Sequence, residues 1–363
     1  MTKTIRVALD GDEHGERSYN IAIACGLIAD AARFVRGRLP AEHAVVITDT
    51  GAQLHADRVA SAMSAANIRC DLLAVPSGEA SKSIEQAERL WSQLVQCQAD
   101  RKTVIVAVGG GVVGDLAGFV AATFARGLSL FQVPTTLLAQ VDSGVGGKVG
   151  INLPAAKNIV GAFWQPRGVL IDPEVLATLP EREYRSGLAE IVKYGVILDA
   201  AFFEYLEQHA GELLAREPAA LEHVIARSCR LKADVVEQDE RELTGLRAVL
   251  NYGHTFCHAI ETVSGYGTYL HGEAVAIGMV CASRLAEGLG RIGGDLTARQ
   301  ISLLNRLGLP TAAVGLSHDD LLAAMRRDKK AEHGRLRFVL PSRLGHVELV
   351  EGIGVEDVRK AMA

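Results

Sequence analysis

The chain has 363 residues, 48% of them hydrophobic and 22% charged, which allows one large or two ordinary domains around a sizeable core. Its net charge of -5, pI of about 6.1 and 5% aromatic content give no global attraction to nucleic acid or lipid and no base-stacking platform. No apolar run is long enough to span a bilayer, and the opening MTKTIRVALDGDEHGE lacks the apolar core of a secretory signal, so membrane and export roles are not expected.

Residues 5–9 alternate as a strand, residues 21–35 carry helical spacing, and residues 44–48 (AVVIT) form a short apolar run closed by Asp49. Residues 53–66 are expected as helix, 70–75 as strand, 83–95 as helix, and 104–108 as a buried strand that runs into three glycines. A further strand ends in VPTT. This is the βαβ rhythm of a parallel sheet covered by helices, whose ligands bind outside the carboxyl ends of the strands. Asp49, the Gly78-Glu79 turn, Gly109 to Gly111 and Thr135-Thr136 all fall at such ends. After Asp172-Pro173 the texture changes, and residues 181–309 read as helix after helix, with late strands at 336–340 and 347–350. The expectation is an α/β domain over residues 1–180 and a mainly α-helical domain over 181–363. The 6 cysteines (Cys25, Cys70, Cys97, Cys229, Cys257, Cys281) form no CxxC pair, and reduced thiols in a cytoplasmic protein are expected.

Residues 109–158 hold two glycine loops with lysines nearby. The first, GGGVVGD, does not match G-x-G-x-x-G, yet a glycine turn after a strand lets backbone N–H groups approach a pyrophosphate, with Asp115 just inside the helix. The plain alternative is a tight turn with close helix packing. The second loop carries Asp142, a glycine pair and Lys148, and is followed by Lys157-Asn158. The two together point to an anionic cofactor and an anionic substrate. Asp49 could accept a ribose hydroxyl or simply cap a helix.

Metal-like residues lie further on: Glu190 in YRSGLAEIVKYG, His254 and His258 in NYGHTFCHAIE, and His271 opening HGEAVAIGMV. One carboxylate and two imidazoles make a common set for a catalytic zinc with an open position. Spacing leaves open whether His254 or His258 is the second ligand. Basic residues gather nearby: Lys193, Lys232, Arg247 and the Lys329-Lys330 pair. Most surface lysines are only solvated, but Arg247 sits four residues before Asn251 in the apolar run LRAVLNYGH, a setting for bidentate capture of a carboxylate.

Most of these residues fall in SGEASK, GGGVVGD, RG..L.QVPTTLLAQVDS.VGGK.GIN, KN..GAF.QP, GLAE..K.G, DERE...LR..LN.GHT..HA.E, HGEAVAIGM and DKK, and through these motifs the chain resembles the 3-dehydroquinate synthases of the sugar-phosphate cyclase superfamily. The resemblance implies an N-terminal NAD-binding α/β domain, a C-terminal metal-binding helical domain and a homodimer. It implies conversion of 3-deoxy-D-arabino-heptulosonate 7-phosphate to 3-dehydroquinate and phosphate, a lyase step of the shikimate pathway towards chorismate and the aromatic amino acids. Catalytic NAD+ and zinc, with cobalt able to replace it, are the implied cofactors.

By the same resemblance Glu190, His254 and His271 are the metal ligands, and His258 becomes a substrate-phosphate contact. NAD+ contacts map onto Asp49, Gly78, Glu79, Lys82, Gly110, Gly111, Val112, Val113, Gly114, Asp115, Thr135, Thr136, Lys148 and Lys157. Substrate contacts map onto Asp142, Lys148, Asn158, Lys193, Lys232, Arg247, Asn251, His258 and one of Lys329 and Lys330. Arg126 maps onto a residue that reaches the phosphate in the neighbouring subunit. Three positions depart from the commonest pattern: Gly144 stands for a serine, Cys257 for a glycine, and Gly51 for a frequent asparagine. The readings to be distinguished are another sugar-phosphate cyclase, such as an amino-dehydroquinate synthase, and a metal-dependent dehydrogenase of the glycerol dehydrogenase kind. Arg247 with Asn251 favours an acid substrate.

Overall fold

A computed structural model describes residues 2–11, 16–154, 156–265, 267–329 and 336–363. They form two compact units, Met1–Leu179 with Leu221–Arg241, and Pro180–Ala220 with Glu242–Ala363. Residues 221–241 thus belong with the first unit, although sequence texture placed them in the second. The helix Pro218–Gln238 is tied there by polar contacts, with Arg230 donating to Arg6 O at 2.8 Å and Glu237 Oε1 accepting from Ala8 N at 3.0 Å. Apolar spacing says that such a helix has a buried face but not which neighbour covers it.

The first unit contains β1 (Lys3–Val7), β2 (Tyr19–Ile23), β3 (His43–Asp49), β4 (Arg69–Val75), β5 (Val104–Gly109), β6 (Ser129–Pro134), β7 (Lys148–Leu153), β8 (Ala156–Phe163) and β9 (Gly168–Ile171). Seven of these make one sheet in the order β1-β2-β9-β6-β5-β3-β4, with β1 and β2 antiparallel and the other pairs parallel. The helix expected over residues 21–35 is instead β2, a turn and the short helix Ala31–Arg36. β2 pairs on both edges and Ile21, Ala22 and Ile23 are all buried, so no polar face alternates with the apolar one to reveal the strand.

The chain leaves β3 towards β4 at one edge and leaves β5 towards β6 on the other side, although β3 and β5 are neighbours. This makes the β3–β5 boundary the switch point of the sheet, where open α/β folds bind ligands beyond the strand ends. Val45, Ile47, Ile105 and Ala107 pack beneath the helices Ile84–Gln96 and Gly111–Thr123 through Leu90, Leu94, Val113, Leu116 and Val120. The glycine-rich stretch after β6 folds into the hairpin β7–β8, and Val149 and Ile151 join this same core.

The second unit is mainly helical, with Glu181–Leu198, Ala200–Leu214, His254–Ser264, His271–Gly288, Gly294–Arg306, His318–Lys329 and Val355–Ala361, and a hairpin of β10 (Arg337–Arg343) and β11 (His346–Glu351). Glu181–Leu198 and His271–Gly288 are buried over most of their lengths. The α/β-plus-helical fold class expected from the sequence holds. No helix among the described residues is long and apolar enough to cross a membrane.

Candidate active site

At the switch point the ends of β3, β5 and β6 lie level: Thr48 pairs with Val108, Gly109 with Pro134, and Thr135 N donates to Gly109 O at 2.9 Å. The helix Gly111–Thr123 starts there with Gly110 at its N-cap and no side-chain cap, so its first N–H groups point outward as an anion site. A Cβ on Gly109 would sit 2.5 Å from Val113 Cγ2 and one on Gly118 2.3 Å from Val149 Cγ1, so packing alone demands those two glycines. Gly110 and Gly111 are less constrained, with Thr136 Cγ2 and Ser143 Oγ each 3.0 Å from a Cβ built there. Asp49 Oδ1 accepts from Gly51 N at 2.8 Å and Ala52 N at 3.0 Å, so the capping role is realised on one oxygen. Its Oδ2 accepts no hydrogen bond among the described residues.

The turn at Gly78, whose φ of 105° is open to glycine, leads to Lys82. Buried Lys82 donates to Asp115 Oδ2 at 2.5 Å and also to Asn158 Oδ1. Burial pushes the Asp115 carboxyl up, and Lys82 partly opposes this. Asn152 completes the link between this turn and the hairpin: its N donates to Lys82 O at 2.8 Å, its Nδ2 to Glu79 Oε1 at 2.7 Å, and its Oδ1 accepts from Asn158 N at 2.9 Å. Residues expected to hold cofactor and residues expected to hold substrate therefore share one network. Lys148 opens β7, exposed, while Lys157 is half-buried in β8.

Asp142 lies in a π-helical turn, Ala139–Ser143, a local geometry common at functional sites. Lys232, buried on the helix Pro218–Gln238, donates to Asp142 O at 2.8 Å and Asp142 Oδ1 at 2.5 Å. Arg126 is exposed on a turn where Ala125, Arg126 and Gly127 have φ of 49°, 69° and 121°. Left-handed backbone at two consecutive non-glycine residues costs of order 1–3 kcal/mol each and persists where the surroundings impose it.

In the second unit two close approaches between helices set the metal-like cluster. A Cβ on Gly272 would lie 1.8 Å from Ser186 O, and one on Gly278 2.2 Å from Gly253 O. The first brings His271 beside the helix that carries Glu190, and the second brings His254, at the start of its own helix, against His271–Gly288. Glu190 is fully buried, its Oε1 has no hydrogen-bond partner among the described residues, and that atom lies 3.8 Å from His254 Nε2 and 3.7 Å from His271 Nε2. Ligand atoms of a tetrahedral zinc at roughly 2.1 Å stand about 3.4 Å apart, so the two distances from Glu190 are within a few tenths of an ångström of that spacing, and all three ligand atoms lie within 4.8 Å of one another. Burial and the charges of Lys193, His271 and His258 push His254 well below the usual imidazole range, keeping it in the neutral, ligating form. His258 is exposed and stands outside the cluster. Lys193 is not apart from the metal-like set: it pairs with Glu190 Oε2, one turn along the helix.

Arg247 is 3% exposed in the short helical segment Leu246–Asn251, its Nε 3.7 Å from Glu242 Oε1. Asn251 is exposed at the end of that segment. Lys329 closes the helix His318–Lys329 with its side chain outside the description, and Lys330 lies outside the described residues.

Residues 72–186 match the family described as 3-dehydroquinate synthase N-terminal, and residues 187–331 the one described as 3-dehydroquinate synthase C-terminal. The chain belongs to the 3-dehydroquinate synthase family. It is 48% identical over 355 residues to a 3-dehydroquinate synthase of Rhodopirellula baltica, covering 96% of this chain and 95% of the other. Its fold is similar to that of a 2-epi-5-epi-valiolone synthase from Streptomyces hygroscopicus subsp. jinggangensis with NAD+ and Zn2+ bound, with a TM-score of 0.87 at 27% identity over 98% of this chain and 97% of that one. It is equally similar to a 2-deoxy-scyllo-inosose synthase complexed with carbaglucose-6-phosphate, NAD+ and Co2+, with a TM-score of 0.88 at 27% identity over 99% of each chain.

The departures from the commonest 3-dehydroquinate synthase pattern each have a local setting. A Cβ on Gly144 would lie 2.8 Å from Ala139 O, the carbonyl that its own N–H bonds at 2.9 Å to close the π turn. At Gly51 the nearest atoms, Asp49 Oδ1 and Ser77 Oγ, are both 3.2 Å from a built Cβ, so a side chain fits after a small shift. Cys257 is buried with its Sγ 3.8 Å from His271 Nδ1. Two residues of this 3-dehydroquinate synthase fold carried no role in the sequence reading, although each closes a quoted motif: Asn152 ends VGGK.GIN and Glu261 ends GHT..HA.E. Glu261 also lies two turns after His254 on the same helix face.

Proposed function

We propose that the chain is a 3-dehydroquinate synthase that converts 3-deoxy-D-arabino-heptulosonate 7-phosphate to 3-dehydroquinate and phosphate in the shikimate pathway. The observation that carries the proposal is the buried Glu190 Oε1, without a hydrogen-bond partner among the described residues, facing the two imidazoles, in a chain of this family in which Arg247 is buried. An ion held by Glu190, His254 and His271 would supply a Lewis acid to a ring hydroxyl and the carbonyl made from it. NAD+ held by Asp49, the Gly78-Glu79 turn, Lys82, residues 110–115, Thr135, Thr136 and Lys157 would supply a reversible hydride acceptor.

The remaining residues bind and orient. Arg247, with Asn251, grips the substrate carboxylate in a two-pronged contact. Asp142 accepts from a substrate hydroxyl, and Lys232 holds that carboxylate in place. Lys148, Asn158 and His258 orient the phosphate, and one of Lys329 and Lys330 adds charge. Lys193 balances the buried Glu190. Arg126 serves a neighbouring copy in a homodimer, which its strained, exposed presentation supports. Much of the rate gain then comes from positioning and preset charge. A change of domain near residue 180, with residues 221–241 returning to the first unit, and a cytoplasmic location belong to the same reading.

The test compares kcat/KM for the heptulosonate phosphate, its amino analogue, sedoheptulose 7-phosphate and glucose 6-phosphate with NAD+ and zinc present. Preference for the heptulosonate phosphate is expected. Preference for either neutral sugar phosphate would remove the role given to Arg247, and preference for the amino analogue would reassign the substrate.

A further inference from the structure

His271 turns its two ring nitrogens to opposite surroundings. Nε2 is 3.7 Å from Glu190 Oε1, on the side of the ligand cluster. Nδ1 is 3.4 Å from Glu261 Oε1 and 3.8 Å from Cys257 Sγ. Cys257 and Glu261 are four residues apart on His254–Ser264, so one helix face presents both to the ring. His254 is arranged in parallel: its Nδ1 is 3.2 Å from the backbone carbonyl of Tyr252, while its Nε2 faces Glu190. An imidazole that ligates through one nitrogen carries its proton on the other, and an acceptor placed there fixes both tautomer and ring angle. For His254 the acceptor is a neutral carbonyl, and for His271 a carboxylate is at hand.

We propose that Glu261 is a positioning residue that accepts the Nδ1 proton of His271 and so offers Nε2 to the metal, with Cys257 packed against the same ring edge. This rests on the reading that Glu190, His254 and His271 hold a divalent ion. A carboxylate acceptor makes the ring a stronger donor than a carbonyl does, so most of the outer-sphere contribution falls on His271. The alternative is a second cation site, because Cys257, Glu261 and His271 also bring three donor atoms within 4.8 Å of one another. The two arrangements exclude each other, since Nδ1 either donates its proton or binds a cation.

The test uses the full chain loaded with zinc, with affinity read by chelator competition and the His271 ring read by nitrogen-15 NMR. Glu261→Ala is expected to weaken zinc binding by about 10- to 100-fold and to expose the Nδ1 proton to rapid exchange. Glu261→Gln, which keeps an oxygen acceptor and the volume, is expected to restore most of the proton's protection and part of the affinity. Unchanged zinc affinity and unchanged Nδ1 protection in Glu261→Ala overturn the proposal. So does a thiolate-to-cobalt charge-transfer band in the cobalt-loaded protein that disappears in Cys257→Gly, because it places the cation on Nδ1. Glu190→Ala separates the underlying reading: zinc binding as tight as in the parent protein would remove the metal site itself, whatever Glu261 does.

Discussion

Lys232 Nζ donates to both the backbone and the side-chain oxygen of Asp142, at 2.8 and 2.5 Å, across 90 positions of sequence. The contact explains why a helix from the middle of the chain belongs with the first unit: it brings a buried ammonium to the π-helical turn that presents Asp142. Lys232→Ala removes a charge-assisted pair worth about 1.5–3 kcal/mol, so kcat/KM should fall roughly 10- to 100-fold. Steady-state kinetics with unaltered zinc content checks this, and an unchanged kcat/KM would mean that Asp142 is held by other means.

The proposed metal site depends on backbone approach as much as on Glu190, His254 and His271 themselves. Gly272→Ala places a Cβ where Ser186 O lies 1.8 Å away. Forcing the helices apart should cost at least about 1–3 kcal/mol and release zinc. Gly288, near the end of the same helix, has nothing within 4 Å of a built Cβ. Gly288→Ala should leave zinc content intact and leave stability equal or up to ~1 kcal/mol higher. Thermal melts and metal analysis of the two variants together separate local crowding from general loss of fold.

Much of this arrangement was readable from the chain. The buried run of β5, the glycines after it and Asp49 announced the strand ends of a parallel sheet, and the texture after residue 180 announced a helical region. What could not be read has physical causes. β2 is buried on both edges, so its apolar run also fits a helical period. Spacing alone could not choose between His254 and His258, because residues four apart share a helix face, and only the close contact of Gly253 with Gly278 sets which ring meets Glu190. The pairing of Lys232 with Asp142 and the contact of Glu261 with His271 arise from tertiary packing: the HA.E motif marks Glu261 but not the ring that it meets.

Arg247 is buried, with a guanidinium whose planar fork suits a carboxylate. Arg247→Lys keeps the charge but loses the two-pronged contact. KM for the acid substrate should rise roughly 10-fold or more, while zinc content stays at the parent level. Equal KM values for the two proteins would show that the carboxylate is bound elsewhere.

The role given to Arg126 has a subunit-mixing test. Arg126→Ala and Arg247→Ala should each be nearly inactive alone. If Arg126 serves the neighbouring copy, each mixed dimer has one intact site, and an equimolar mixture should recover up to about a quarter of parent activity. No recovery, with mixed dimers demonstrated, would place Arg126 in its own subunit's site.

In the proposed reaction NAD+ is a reversible hydride acceptor, so it is not consumed while the substrate loses phosphate. Phosphate and NADH should therefore be followed together while the protein turns over 3-deoxy-D-arabino-heptulosonate 7-phosphate with zinc and substoichiometric NAD+. The account predicts many phosphates released per NAD+ with no net NADH. NADH accumulating in step with substrate consumed, with phosphate retained on the product, would contradict it and make the chain a dehydrogenase.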